Sequence, residues 1–169
     1  MDIYKMSSPI HQWSAVNLRT ANILCEARNQ GLLGMEAVDW VVYNRSHRRG
    51  WPDTMRGVIL QRLQFSWTRQ VDPNFQWVLG AVGSEDRLVH KENWQDFVHW
   101  VRVWDVWRTD GAAARDYSGE PHLDPTHGAD HYLNVPLVKK WRNGSLPRWA
   151  NEQKITAVIG DHTFYKLRA

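Results

Sequence analysis

The sequence predicts an α+β domain, mostly helical and closing on a small β-hairpin. Three observations predict it. Apolar residues recur over Ala37, Val38, Val41 and Val42, and again over Trp94, Phe97, Val98, Val101, Trp104 and either Val106 or Trp107. That 3, 4, 7 spacing marks helices with a buried face. Residues 154–168 are rich in β-branched and aromatic residues and are broken once, at Gly160-Asp161, which reads as a hairpin. Finally, 169 residues with 43% hydrophobic and 23% charged content suit one domain with a sizeable core.

Taken in order, residues 1–13 read as an N-terminal arm, because Ser7-Ser8-Pro9 is a poor helix interior. Residues 14–169 then form the single domain. Ser14 is a good cap for a first helix reaching about Arg28. Gly31 and Gly34 bracket a bend before a second helix, from about Met35 to Arg49. Gly50-Trp51-Pro52 breaks that helix, and Pro52 is placed to open a short third one through Leu60, burying Met55, Val58 and Ile59. Leu63 to Trp67 reads as irregular chain, Asp72-Pro73-Asn74 as a loop, and Phe75 to Gly83 as a helix with no clear cap. Lys91 to Thr109 is the clearest long helix. Its apolar face is wide enough that it is expected to be the central buried helix. From Ala112 to Trp149 periodicity is lost while aromatics and histidines continue, as in a functional segment or lid.

Composition narrows the function classes. A net charge of +3 permits an anionic partner and names none. The cluster Arg45, His47, Arg48 and Arg49 reads as a solvated helix end. With no phosphate-cradling glycine loop and no basic reading helix, no nucleic-acid partner is expected. The single cysteine, Cys25, excludes an intrachain disulfide. No run of about 18 apolar residues and no basic-then-apolar leader occur, so neither stable membrane insertion nor a secretory signal is expected. The eleven tryptophans, spread from Trp13 to Trp149, read as mostly core. Whether Trp51, Trp67 or Trp141 lines a sugar groove stays open.

Glu26 follows Ile23, Leu24 and Cys25, which places its carboxyl at the edge of the core. Burial there raises its pKa and makes it a general acid near neutrality. Glycosidic cleavage needs such an acid on the leaving oxygen. The plainer alternative is a helix-end glutamate paired with Arg28 or Lys154. Glu36 and Asp39 lie off the apolar face and are expected in solvent; Asp72, Asp124 and Asp130 read as ordinary loop carboxylates. Asp124, His127 and His131, with His122 and His162, offer zinc-ligand types, but in no strong motif, so no metal and no cofactor are expected. Cys25 lacks a partner histidine and reads as a small apolar residue. Gln64, Phe65 and Ser66, with Tyr132 and Asn134, suit an N-acetylated sugar, one ring stacking while amides and hydroxyls bond. With His131 beside them, they are the expected substrate-binding residues.

These residues resemble the SleB-type cell wall hydrolases, the family of spore cortex-lytic enzymes and related phage and bacterial peptidoglycan-cleaving domains. The opening block is matched by Glu26-Ala27-Arg28-Asn29-Gln30, Gly34, Ala37-Val38-x-x-Val41 and Asn44-Arg45. Pro52, Thr54, Val58 and Gln64-Phe65-Ser66 follow. Later come Gly128-Ala129, Tyr132 and Asn134, then Ile159-Gly160, His162 and Phe164-Tyr165. Asn29 and Gln30 stand where the family usually has a Gly and a second Glu. The resemblance implies a lysozyme-like α+β fold, Glu26 as catalytic residue and cleavage of the N-acetylmuramic acid–β-1,4–N-acetylglucosamine bond. It also implies lytic transglycosylase chemistry, which needs no second carboxylate. A hydrolytic muramidase with the same acid is the alternative, with water placed by Ser66, Glu36 or Asp39. A non-catalytic glycan-binding virion protein and a zinc amidase are further ones. The expected partner is peptidoglycan, and the expected state a monomer. The expected setting is that of a phage endolysin, held in the host cytoplasm before release and acting in the periplasm.

Overall fold

The computed structural model describes residues 9–69, 71–83, 88–110 and 122–168. Its first helix starts where its cap stands. The Ser14 hydroxyl accepts from the Asn17 amide at 3.1 Å, and α1 runs over Ala15–Ala27; one of the amides that a helix start leaves unpaired is thereby satisfied. α2 covers Gly31–Ser46, so the bend is confined to residues 28–30. Gly31 opens α2 at a φ of 69°. Gly34 lies inside the helix, where a Cβ would sit 2.5 Å from that of Gln30. The two glycines let the chain reverse tightly; they do not bracket a longer loop.

Thr54, not Pro52, starts α3 (Met55–Leu60), accepting from the Gly57 amide at 3.1 Å. The cap that the sequence did not reveal for α4 (Pro73–Gly83) is Asp72, whose Oδ1 accepts from the Asn74 amide at 2.9 Å. α5 spans Leu88–Asp110. It buries Trp94, Val98, Val101 and Trp104 but exposes Gln95, Asp96, His99 and Arg102, so it is amphipathic and not the central helix. That place belongs to α1, packed against α2, α3 and α5, and to α2. Eight of the thirteen α1 residues are buried, among them Arg19, Thr20 and Asn22.

Thr20 donates to the Val16 carbonyl at 2.9 Å, Asn22 Oδ1 accepts from the Trp67 indole at 2.9 Å, and Arg19 is held by carboxylates. Arg19 Nε donates to Asp39 at 2.9 Å, and its NH1 donates to both Asp105 oxygens at 2.6 and 2.8 Å. Arg108 donates to Asp39 at 2.8 Å, so one cluster joins α1, α2 and α5. Asp39 is 1% exposed, against the expectation that it is solvated. Burial alone would raise its pKa, but Arg19 and Arg108 hold the carboxyl below its ordinary value. Glu36 is buried too, paired with His122 at 2.7 Å and accepting from the Trp40 indole at 3.1 Å. Burial raises its pKa against the pull of His122 and Trp40.

The hairpin is part of a larger sheet. β1 (His131–Asn134), β2 (Ile155–Ile159) and β3 (His162–Tyr165) form an antiparallel sheet in the order β1-β3-β2, with Tyr132 opposite Phe164. β1 and the following α6 (Val135–Trp141) both fall in the segment expected to lack regular structure; residues 111–121 of it lie outside those described. The sheet packs on α2 through Ala37, Val41, Ala129 and Phe164. Ahead of β1, the Asp124 carboxylate gathers the Thr126 and Gly128 amides, each at 2.8 Å, and Asn44 at 2.9 Å. Asp130 is buried and accepts from the Leu167 and Arg168 amides at 2.8 and 3.1 Å, with Arg48 at 2.9 Å. Burial would raise its pKa, but His131, the Leu167 amide and Arg48 hold it at about 2. Neither carboxylate is an ordinary loop group, and Arg48 is no solvated helix end. Ile10, within the arm, is buried in the helical core, while residues 1–8 lie outside those described. No helix among the described residues is long and apolar enough to cross a membrane.

Because Asp39 titrates below its unfolded value, its contribution to stability is complete above about pH 4 and is lost as pH falls through the lowered pKa. Asp39→Ala leaves two buried arginines facing one another and is expected to lower the unfolding free energy by ~3–5 kcal/mol at pH 7. Urea denaturation of both proteins checks this, and the gap should narrow in acid. A gap that does not change with pH would show that charge is not its source.

Candidate active site

A cavity of about 540 Å³ opens between the end of α1, β1 and α6. Glu26, in the last turn of α1, is half-buried in it. Tyr132 comes from β1, where pairing with β3 sets its face, and its ring packs 5.1 Å from His162 and 5.8 Å from Phe164. Its hydroxyl donates to Glu26 Oε2 at 2.9 Å. No described residue hydrogen-bonds the other oxygen, Oε1.

Arg45 reaches the same region from the end of α2. It is 6% exposed, its Nε donates to the Asp130 carbonyl at 2.7 Å, and it lies 4.5 Å over the Trp51 ring. It is therefore fixed in the interior, not solvated as His47 and Arg49 are. The Glu26 carboxyl titrates above its ordinary value. Burial raises it most, the Tyr132 hydrogen bond and the Arg45 charge oppose, and Asp72 adds to the rise. Burial and Glu26 push the Tyr132 hydroxyl far up as well, so it remains a donor. Burial lowers the pKa of His162 and keeps its ring neutral. Chemically, this is a carboxyl whose protonated form burial favours, with one oxygen tethered and the other free to face a ligand.

Of the expected site residues, Glu26, Ser66, Tyr132 and Asn134 all line the cavity. Gln64, Phe65 and His131 do not. Phe65 is buried in the helical core beneath Arg45. His131 is one position from Tyr132 and so points to the other side of the strand, towards Asp130, Trp51 and Trp149. The helix-end pairing of Glu26 does not form: Arg28 bonds Asn74 at 3.1 Å and lies over Trp77, and neither it nor Lys154 bridges to Glu26. Glu36 and Asp39 are held in their ion clusters and do not line the cavity. The histidines are dispersed, and among the described residues no group of three or more His, Cys, Asp or Glu could hold a metal ion. Cys25 lines the cavity with its thiol pKa pushed up by burial and by Glu26, so it stays protonated. Arg45, Asp72 and His162 were missed as site residues, while Trp141 was one of the three tryptophans left open. Arg45 and His162 carried a usable signal, in the Asn44-Arg45 pair and the Ile159-Gly160-x-His162 run.

A family model for cell wall hydrolases matches residues 29–165. The chain belongs to the cell wall hydrolase family. It is accordingly an enzyme, with bacterial peptidoglycan as its substrate. The catalytic domain of the Bacillus cereus SleB protein shares this hydrolase's α+β fold, at a TM-score of 0.51 and 20% identity, over 97% of this chain and 95% of that one. No curated protein matches the hydrolase.

The family match begins at Asn29, just past Glu26, and takes in Gln30. In this cell wall hydrolase Gln30 clasps the β2–β3 turn. Its Oε1 accepts from the Asp161 amide at 2.7 Å and its Nε2 donates to Asp161 Oδ2 at 3.2 Å. A Cβ at Gly160, whose φ is 57°, would sit 2.3 Å from Gln30 Oε1. An amide can both donate and accept here, whereas a carboxylate would face the Asp161 charge. Gln30→Glu is expected to cost about 1 kcal/mol at pH 7, and adding Asp161→Asn should recover most of it. Urea denaturation of the two single variants and the double variant checks this; simple additivity would exclude the clasp.

Proposed function

We propose that the chain is a lytic transglycosylase that cleaves the N-acetylmuramic acid–β-1,4–N-acetylglucosamine bond, with Glu26 as general acid and then base. One observation carries the reading. Glu26 lies half-buried in a large cavity, its carboxyl raised above the ordinary range and tethered by Tyr132, and it is the only carboxylate among the described lining residues. Protonated Glu26 gives its proton to the glycosidic oxygen as the bond to the muramoyl anomeric carbon breaks. The muramoyl 6-hydroxyl then forms a new bond to that carbon and returns a proton to the Glu26 carboxylate. The products are a free 4-hydroxyl on N-acetylglucosamine and a 1,6-anhydro-muramoyl end, and no water is consumed. A second reading, hydrolysis with the same acid, is supported by the exposed Ser66 in the cavity, which offers a hydroxyl to hold a water.

Glu26→Gln is expected to leave the melting temperature near that of the parent and to cut lysis of purified wall at least ~100-fold. Near-parental lysis would sink the assignment. Mass spectrometry of the released muropeptides then separates anhydro from reducing ends.

Since the acid must be protonated, activity should fall as pH rises through the raised Glu26 pKa. Tyr132→Phe removes a bond that favours the carboxylate and is expected to shift this alkaline limb to higher pH. An unmoved limb would separate Tyr132 from the acid.

A further inference from the structure

Ten of the eleven tryptophans are buried or half-buried, packed into the fold. Trp141 alone is exposed, at 71%. It ends α6, a helix with no buried residue, so its ring serves no core. Leu137 and Val138 lie one turn back on the same side, and all three line the Glu26 cavity. The same cavity is also lined by the polar Arg28, Asn29 and Asn74, from the end of α1 and the start of α4. No aromatic or cationic partner stacks on Trp141 among the described residues. A cavity lined by a broad apolar plate and by amide and guanidinium groups offers two kinds of contact to one ligand. A pyranose ring matches it, with C–H bonds on its faces and hydroxyl and acetamido groups on its edge. A volume of about 540 Å³ falls within the ~300–1,000 Å³ of ligand pockets.

We infer that Trp141 is the stacking platform for a sugar ring of the strand that Glu26 cuts, and that α6 forms the substrate wall of the cavity. The inference rests on the reading of Glu26 above, since a continuous cavity places one ligand on both residues. α6 is aimed by its start: Asn134 Oδ1 accepts from the Leu137 amide at 3.0 Å, and the Val135 amide donates to the Asp161 carbonyl at 3.3 Å. The plate is thus set on the strand that carries Tyr132.

The test uses the Glu26→Gln protein, so that bound strands stay intact, with soluble peptide-free strands of alternating N-acetylglucosamine and N-acetylmuramic acid as probe. Calorimetric titration should show binding about tenfold weaker once Trp141→Ala is added. Trp141→Phe in its place should recover most of the affinity, and the melting temperature should be the same in all three. Equal affinities with and without the ring, or no binding of the strands by the Glu26→Gln protein, overturn the proposal. Wall lysis by that same protein is read separately: undiminished lysis overturns the acid assignment, while lost lysis with equal affinities overturns only the platform.

Discussion

The hydrogen bond from Tyr132 to Glu26 joins the two halves of the molecule. Glu26 ends the helix around which α2, α3 and α5 assemble, and Tyr132 belongs to a sheet assembled separately on the far side of α2. A carboxyl withdrawn from water in this way has its pKa set by geometry: it is raised by burial and restrained by one hydroxyl and one guanidinium. Anything that shifts the sheet against the helices therefore acts on the acid. The structure guards against such a shift at three places: the Gln30 clasp, the Asp130 carboxylate and Arg45.

α2 makes the connection possible. Val38 and Val42 face the helical core, Ala37 and Val41 face the sheet, and Glu36 and Asp39 face the ion clusters. A helix with three buried sides cannot rotate without breaking one of them. Its last turn holds Arg45 between the Asp130 carbonyl and the Trp51 ring, so the electrostatics around Glu26 derive from the same helix that organises the packing.

Much of this was legible in the sequence because it depends on near neighbours. The Ser14 cap, the 3, 4, 7 faces of α2 and α5, and the Gly160 turn all read within a few positions. Glu26 stood out because three apolar residues precede it. What stayed hidden depends on distant partners. Asp39 reads as solvated until Arg19 and Arg108 are brought to it from 20 and 69 positions away. β1 is four residues long, too short for an alternation to register, and it becomes a strand only by pairing with β3. Once it is a strand, His131 and Tyr132 must part, and only one of two adjacent candidates can reach the cavity. Trp141 could not be told from Trp51 and Trp67 as a groove residue, because its exposure depends on where α6 stands against the rest of the fold.

α6 buries none of its residues fully, and hydrogen bonds through Asn134 and Val135 fix its first turn. Its remaining positions are therefore released from the demands of folding. Drift or selection can rewrite them to suit a differently decorated polymer while the acid and its supports stay as they are, leaving the taste of the enzyme free to change faster than its frame.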